Sequence, residues 1–307
     1  MWLIFAFVSA TIVGIRDFFK KISLQEHDLL IVLCLVTVFS ALLFMPFILI
    51  SRFTDYLTGS FFYIPIGTPM LHLSSIVKCI LLIVCWLCSY DGIKHLPLTV
   101  SGIIAAFGPV ETVLAAMVVY GESLNLLQWA GVLVSTFSLV AICRGGTDDG
   151  ANYLRNRHFW LMLLSTVFST IAALWDKFAM GRPEDGGLGL SVMFIQSWYN
   201  IYQALFLVIA LCISHRCSHV KKTAHIPTKF LAGVFMVSVC EVAADLLYNA
   251  ALQLPGCFVS ILAMVRRGSV VISFILGALF LREHDIRRKT IDLMMVLLGM
   301  LLLFLGS

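Results

Sequence analysis

Five ionisable residues lie within stretches of sequence that are otherwise strongly apolar: Glu111, Glu241, Asp245, Arg266 and Arg267. An ionisable group near the centre of a bilayer costs at least about 2.5–3.5 kcal/mol, so such groups mark functional sites by default. Glu241 and Asp245 are one helical turn apart and share a helix face, whereas adjacent arginines point about 100° apart. These five residues are therefore candidates for binding an ionic ligand inside a membrane.

The two arginines indicate the charge of that ligand. Because both cannot face one cavity equally, we expect an acid, Glu111 or Glu241, to hold one arginine while the other faces the cavity. A free guanidinium suits a carboxylate or a phosphate, which it binds through paired hydrogen bonds. The alternative is a purely structural network of buried ions, although such pairs do not reliably stabilise a protein.

Two further acids, Asp17 and Asp176, lie toward the ends of apolar stretches. Asp17 precedes Lys20 and Lys21 by three and four residues, and Asp176 is followed by Lys177. At this depth the interpretation we favour is a pair of interfacial salt bridges. The alternative is a pair of gate residues.

The composition is that of an integral membrane protein. Of the 307 residues, 60% are hydrophobic and only 12% are charged, against about 25% charged residues in soluble domains. The net charge of +4 gives no indication of nucleic-acid binding. Continuous apolar runs of about 20 residues predict an all-α protein with ten transmembrane helices. The predicted spans are 2–21, 28–51, 74–95, 98–120, 124–143, 158–180, 188–214, 228–253, 256–281 and 287–306.

The chain also contains an internal repeat. Thr11–Phe19 is similar to Thr170–Phe178, with Asp17 and Asp176 in register at an offset of 159 residues. Tyr90–Pro97 is similar to Tyr248–Pro255 at an offset of 158 residues. Two matches at nearly one offset indicate a duplication, which is typical of secondary transporters built from two repeats.

We therefore divide the chain into a first five-helix repeat, 1–146, a polar linker, 147–157, and a second five-helix repeat, 158–307. Because each repeat has an odd number of spans, the two lie in opposite orientations, which predicts an inverted repeat. One chain holds both repeats, so a monomer is sufficient, and a homodimer is left open.

Basic residues concentrate in the loops that follow odd-numbered spans, and they include Lys20, Lys21, Lys94, Arg144, Arg155, Arg157, Lys229, Arg287, Arg288 and Lys289. The positive-inside rule then places these loops in the cytoplasm and both termini outside. We expect a protein that is integral to the lipid bilayer of the plasma (inner) membrane.

No cofactor and no resident metal are predicted. The loop His215–His219, with His225, matches no closed zinc pattern and is basic, so it repels cations. The chain has no G-x-x-x-x-G-K-[ST] nucleotide-binding motif, which argues against an ATP-driven pump. Tyr90-Asp91 resembles half of an intramembrane aspartyl protease pair, but its repeat mate is Asn249, and a dyad needs two carboxylates. We expect no enzymatic activity, and an intramembrane enzyme is a remote alternative.

Several motifs resemble the EamA repeat of the drug/metabolite transporter superfamily. In the first half, G-P-V-E-T-V-L-A-A-M-V-V-Y from Gly108 is followed by Gly121-Glu122, a short turn and Gln128-Trp129-x-Gly131. In the second half, Ala263-Met-Val-Arg-Arg-Gly-Ser-Val-Val is followed by Gly277-Ala-Leu-Phe-Leu-Arg-Glu283. The resemblance covers nearly the whole chain and implies ten helices in two inverted five-helix repeats, with transport by alternating access.

The resemblance also bears on the substrate. In the related sugar-phosphate translocators, a consecutive basic pair in the ninth helix holds phosphate, and Arg266-Arg267 is similar in type and place. Those relatives use a basic residue in the fourth helix, where this chain has Glu111. An amino acid, or another organic anion or zwitterion, suits this set better than a phosphate.

We therefore predict a secondary transporter for a small polar or amphipathic metabolite, in which Glu111 or Glu241 carries a coupling proton. The alternative is a proton-coupled multidrug or cation exporter, in which a membrane carboxylate binds a lipophilic cation.

Overall fold

The computed structural model describes residues 2–25, 27–120, 124–144, 153–181, 187–217, 227–253, 262, 265–281, 283 and 286–306. Within these ranges the chain is helical and contains no β-strand. The helices are α1 (Trp2–Gln25), α2 (Leu29–Phe53), α3 (Pro69–His95), α4 (Leu98–Ala105), α5 (Gly108–Tyr120), α6 (Leu126–Arg144), α7 (Arg157–Met180), α8 (Val192–Cys217), α9 (Thr228–Gln253), α10 (Ser269–Phe280) and α11 (Ile286–Gly306). A single 3₁₀ turn, Tyr153–Arg155, precedes α7.

Eight stretches of helix in the described ranges are long and apolar enough to cross a membrane, and Leu126–Ala141 is a shorter apolar helix. Their positions agree with nine of the predicted spans to within a few residues. The ninth predicted span, 256–281, is described at residue 262 and from residue 265 onward. Hydropathy locates the helices well because a membrane helix must satisfy all its backbone groups internally over a fixed length.

The predicted span 98–120 is not one regular helix. Ala106 and Phe107 form a turn that separates α4 from α5. Pro109 is the physical reason, since a proline has no N–H and its ring clashes with the carbonyl four residues earlier. That carbonyl belongs to Ala105, the last residue of α4. A second turn, at Gly268, lies between the helical residues Val265–Arg267 and the start of α10.

The helices pack mainly in pairs that join the two halves of the chain. The most extensive pairs are α1 with α9, α3 with α7, α6 with α11, and α2 with α8. The broken segments also meet, since α4 packs on α10. Buried apolar residues fill the space between these pairs, and the largest cluster includes Val32, Val100, Ile103, Val234 and Val270.

Two glycines bring the backbones of α6 and α11 into close contact. A Cβ atom on Gly299 would lie 2.0 Å from Ser135 Oγ, and a Cβ atom on Gly131 would lie 2.7 Å from the carbonyl oxygen of Gly299. Small residues of this kind let membrane helices approach through their backbones.

The end of the bundle at which α1 and α3 finish is held together by charged hydrogen bonds. Lys21 Nζ donates to the carbonyl oxygens of Ile93 (2.6 Å), Lys94 (3.0 Å) and Leu96 (2.6 Å). One ammonium group thus satisfies three carbonyls at the C-terminus of α3, which no intrahelical donor reaches. Leu98 and Thr99, which follow these carbonyls at the start of α4, donate their backbone N–H groups to the Glu283 carboxylate.

Candidate functional site

Helices α1 and α9 carry the most extended ionic network in the described part of the chain. Arg16 Nη1 donates to Glu241 Oε1 at 2.8 Å, and Arg16 Nε and Nη2 donate to Asp17 Oδ1 at 3.0 and 2.8 Å. Lys20 Nζ lies 3.8 Å from the same Asp17 oxygen and 4.4 Å from the centre of the Tyr90 ring. The network therefore joins the first helix of one half to the third helix of the other.

A second ion pair lies between α3 and α7. Lys78 Nζ is 2.8 Å from Asp176 Oδ1 and 4.6 Å from the centre of the Tyr199 ring on α8. Asp17 and Asp176, predicted as interfacial salt bridges or gates, are thus both in ion pairs. Their partners include Arg16 and Lys78, which are helical residues inside the bundle rather than loop residues.

Arg266 is paired with Asp245, and the same carboxylate also accepts from Gln196 Nε2 at 3.1 Å. The guanidinium carbon of Arg266 lies 4.5 Å above the ring centre of Tyr248. We expected Glu111 or Glu241 to hold one of the arginines, and that assignment is wrong for Arg266. Glu241 is already occupied by Arg16, whereas Asp245 lies one turn further along α9 and is free to bind Arg266.

Arg267 has no carboxylate within 4.0 Å among the residues that the structure describes. Its Nη1 approaches the carbonyl oxygen of Ala105 at 3.5 Å, which is the carbonyl that Pro109 leaves without a helical donor. Its guanidinium also lies over Gly108, where an added Cβ would sit 3.0 Å from Nη2. The break in the fourth span and the turn in the ninth therefore meet at Arg267.

Glu111 lies in the first turn of α5, one turn beyond Gly108. Its Oε1 accepts from Thr166 Oγ1 of α7 at 2.7 Å, while its Oε2 is buried and has no hydrogen-bond partner in the described ranges. Contrary to our expectation, Glu111 forms no ion pair within 4.0 Å with Arg266 or Arg267. The carboxylate instead meets α7, because α5 packs against that helix.

Two charged groups near these networks have no partner of opposite charge in the described part of the chain. Ten charged groups belong to these networks or lie beside them: the acids Asp17, Glu111, Asp176, Glu241 and Asp245, and the bases Arg16, Lys20, Lys78, Arg266 and Arg267. Other buried charged residues, such as Lys21 and Asp292, lie outside this set. Ion pairs within 4.0 Å engage four of the acids and four of the bases. The two groups left over are one cation, Arg267, and one anion, Glu111. Both are partly exposed in the isolated chain, and a charged group inside a membrane protein faces the bundle interior or a water-filled cavity.

Sequence reasoning missed Arg16, Lys78 and Gln196, all of which contribute to these networks. A sequence signal was present for the first two, since Arg16 and Lys78 are basic residues within the predicted spans 2–21 and 74–95. We also assigned Lys20, Lys21 and Lys289 to loops, but all three are buried helical residues with specific partners. They therefore do not count as loop charges for membrane orientation.

Several predicted features lie outside the described residues. They are the Gly121-Glu122 step, most of the linker 147–157, Arg282 and the histidines at 219 and 225. Among the residues described, three that could hold a metal ion lie together, namely Asp91, His95 and His158.

Comparison with known proteins finds a matching family and a similar solved structure. Residues 1–144 match the EamA-like transporter family. No curated protein matches the chain. One solved crystal structure, described only as that of a protein, aligns with 96% of this chain and 96% of its own, with a TM-score of 0.58 and 13% sequence identity. At that identity the likeness concerns the fold alone. The match over residues 1–144 places this first half of the chain in the drug/metabolite transporter superfamily as an EamA-like transporter, and the apolar helices are those of an integral membrane protein.

Proposed function

We propose that the protein is a secondary carrier for a small zwitterionic or anionic metabolite, with an amino acid as the favoured class. The observation that carries the proposal is Arg267. It is a guanidinium inside the bundle that lacks a carboxylate within 4.0 Å in the described part of the chain, and its one hydrogen bond is a long contact to the Ala105 carbonyl. An uncompensated cation in a membrane is costly unless a ligand supplies the missing charge.

The position of Glu111 favours a zwitterion over a simple anion. Arg267 lies over Gly108, and Glu111 is three residues further along the same helix. Residues three apart share a helix face, so the two charges lie near each other without forming a pair. A ligand that places a carboxylate on Arg267 and an ammonium group on Glu111 would give each of these charges its missing partner. The N-terminus of α5 adds the positive end of a helix dipole beside the ligand carboxylate.

Proton coupling also suits Glu111. Its Oε2 is buried without a partner in the described ranges, and a carboxylate oxygen so placed can take up a proton without breaking an ion pair. Glu241, the other candidate, is committed to Arg16 at 2.8 Å. We therefore assign the coupling proton to Glu111. If Glu111 instead binds a lipophilic cation in exchange for that proton, the protein is a multidrug exporter, which is the alternative that the same oxygen supports.

We further propose that the chain is a ten-helix inverted repeat that works by alternating access. The support is the symmetry of the helix pairing. If each helix is exchanged with its counterpart in the other half, the pair α1–α9 becomes the pair α7–α3, which is also observed. The pairs α2–α8, α6–α11 and α4–α10 each consist of two counterparts, so the exchange leaves them unchanged. Both broken segments lie at corresponding places, in the fourth and ninth spans. Discontinuous helices that meet between two repeats are typical of substrate sites in secondary transporters.

The proposal is tested by transport in proteoliposomes and by ligand-induced thermal stabilisation. The panel contains amino acids, organic acids, sugar phosphates and lipophilic cations, each with and without an imposed pH gradient. The variants are Arg267→Gln and Glu111→Gln. The control is Arg287→Gln, which makes the same change of charge at an exposed residue of α11.

We expect an amino acid to be transported and to stabilise the wild type and Arg287→Gln. We expect Arg267→Gln to lose both responses, and Glu111→Gln to lose dependence on the pH gradient. Stabilisation by cations alone, lost in Glu111→Gln and kept in Arg267→Gln, would favour the multidrug exporter. Residence in the plasma membrane, a monomeric state and the orientation of the termini remain predictions, which surface labelling of intact cells and sizing in detergent would test.

A further inference from the structure

Three side chains meet where α3 ends and α7 begins, away from the ionic networks described above. Asp91 and His95 lie four residues apart in the last turns of α3, and His158 lies in the first turn of α7. Asn156 positions His158, because its side-chain oxygen accepts from the His158 backbone N–H at 2.9 Å and caps the helix. The cluster therefore joins one helix from each half of the chain.

Both imidazoles turn the same nitrogen toward Asp91. His158 Nδ1 lies 2.5 Å from Asp91 Oδ2. His95 Nδ1 lies 3.4 Å from Asp91 Oδ1 and 2.9 Å from the backbone carbonyl oxygen of the same residue. The two rings stack at 3.9 Å between centroids, with 20° between their planes. One ligand atom from each of the three residues falls within 4.8 Å of the other two. Three convergent donors of the nitrogen and oxygen types are thus already assembled.

The separations resemble those around a tetrahedral zinc ion. Bonds of about 2.0–2.1 Å to zinc place neighbouring ligand atoms about 3.3 Å apart. The His95–Asp91 separation of 3.4 Å meets this value, and the His158–Asp91 hydrogen bond would lengthen by less than about 1 Å. Residues four apart on one helix face are a common pair of zinc ligands. The side chains are 22% (Asp91), 40% (His95) and 16% (His158) exposed, so an ion can reach them from water.

We propose that Asp91, His95 and His158 bind a divalent zinc ion, with water completing the coordination. Two neutral imidazoles and one carboxylate leave a single positive charge on the bound ion, which suits an exposed site. The ion cross-links the C-terminal turn of α3 to the N-terminal turn of α7, and so stabilises the packing of these two helices.

Two contacts compete with the ion. His95 Nδ1 lies 2.9 Å from the Asp91 backbone carbonyl oxygen, and that hydrogen bond is lost, with its proton moved to Nε2, when Nδ1 binds zinc. Arg157 Nε points to His158 Nε2 at 3.4 Å, which favours the tautomer that carries its proton on Nδ1 and donates it to Asp91. Zinc binding through Nδ1 moves that proton to Nε2 and displaces Arg157, which is exposed and free to turn toward water. Replacement of Arg157 by Gln should therefore tighten zinc binding severalfold.

The test uses purified full-length protein freed of metal by a chelator. Zinc binding is measured by competition with a chromogenic chelator, and Co²⁺ is used as a spectroscopic probe of the ligands. The variants are His95→Asn, chosen because His95 is the most exposed ligand, and His158→Asn. The controls are His219→Ala and His225→Ala, which remove the histidines of the other candidate loop.

We expect one zinc ion per chain in the wild type and in both controls, with a rise in melting temperature of about 5 °C at a hundredfold excess over the dissociation constant. We expect His95→Asn and His158→Asn to weaken binding at least tenfold while they melt near the wild-type temperature without metal. The cobalt spectrum should lack a thiolate charge-transfer band. Unchanged binding in both variants, loss of binding in a loop control, or a thiolate band would each overturn the assignment. None of these readouts depends on transport.

Discussion

Arg16 of α1 and Glu241 of α9 form an ion pair at 2.8 Å that joins the first half of the chain to the second. The two side chains are only 14% and 9% exposed. The pair is also asymmetric, because Arg16 has a second carboxylate partner in Asp17, whereas Glu241 has no second base within 4.0 Å in the described ranges.

This asymmetry predicts unequal effects of substitution. Arg16→Gln leaves Glu241 without a cation within 4.0 Å in the described ranges and leaves Asp17 with only Lys20, at 3.8 Å, so it should cost about 3–5 kcal/mol, as the loss of one partner of a buried pair does. Glu241→Gln leaves Arg16 bound to Asp17 and should cost about 2 kcal/mol, one charged hydrogen bond. Melting temperatures in detergent measure the difference, with Arg288→Gln as the exposed control. A larger loss in Glu241→Gln than in Arg16→Gln would contradict the network.

The adjacent arginines should separate stability from function. Arg266→Gln leaves Asp245 without its cation and should cost about 2–4 kcal/mol. Arg267→Gln loses only a long hydrogen bond, so its stability should stay within about 1 kcal/mol of the wild type, although we expect it to lose substrate binding. Thermal melts with and without the transported substrate measure both effects. If Arg267→Gln were the less stable variant, Arg267 would be a structural residue.

Gly108→Ala should disturb the ligand site through Arg267 alone. The new Cβ would lie 3.0–3.3 Å from three atoms of the guanidinium group and would displace it from the Ala105 carbonyl. We expect substrate affinity to fall about tenfold, which corresponds to about 1.4 kcal/mol. Gly102→Ala is the matched control, since it lies in the same span but meets Val270 at 3.3 Å. Equal losses of affinity in the two variants would show that the effect comes from the helix rather than from Arg267.

Gly299→Ala should separate α6 from α11. Its Cβ would lie 2.0 Å from Ser135 Oγ and 2.9 Å from the Gly131 carbonyl oxygen, so the backbones must move apart. Overpacking of this kind costs about 1–3 kcal/mol or more. The double variant Gly299→Ala, Ser135→Ala removes the hydroxyl but not the carbonyl contact, so it should recover only part of the loss. Melting temperatures measure these losses of stability. Gly233→Ala is the control, because within the described ranges its added Cβ would approach only Ser23 Oγ, at 3.3 Å. Full recovery in the double variant would argue against a backbone clash.

Lys21→Met should loosen the end of the bundle where α3 finishes. It removes the donor shared by the carbonyls of Ile93, Lys94 and Leu96, at a cost of about 3 kcal/mol. We also expect faster amide hydrogen exchange near the start of α4, which follows these carbonyls directly. Lys229→Met, an exposed lysine of α9, is the control. Unchanged exchange in Lys21→Met would mean that other contacts hold this end together.

The helices could be predicted from the sequence, but the partners of the charges could not. Hydropathy is a local property, so the spans follow from apolar length. The break at Ala106–Phe107 does not follow from hydropathy, which predicts one helix over 98–120, although Pro109 explains it. Ion pairing depends on which helices meet and at what height. Asp245 rather than Glu241 binds Arg266 because Arg16 has taken Glu241, and Arg16 belongs to a helix 225 residues away. The five candidate residues could be chosen from the sequence as charges within apolar spans, but the network that leaves Arg267 and Glu111 unpaired requires the three-dimensional arrangement.

The long contact between Arg267 and the Ala105 carbonyl also has a kinetic consequence. A cation that must exchange one partner for another in every cycle is slowed by whichever partner holds it more tightly. A neutral carbonyl at 3.5 Å is a weak competitor for a guanidinium. In the proposed transport cycle, the carbonyl would hold the arginine between turnovers, an arriving carboxylate would displace it readily, and it would accept from the arginine again when the carboxylate departs. Pro109, by leaving this oxygen without a helical donor, therefore gives the arginine a weak partner, so that in the proposed cycle the release of the substrate carboxylate, rather than of the carbonyl, would limit the exchange.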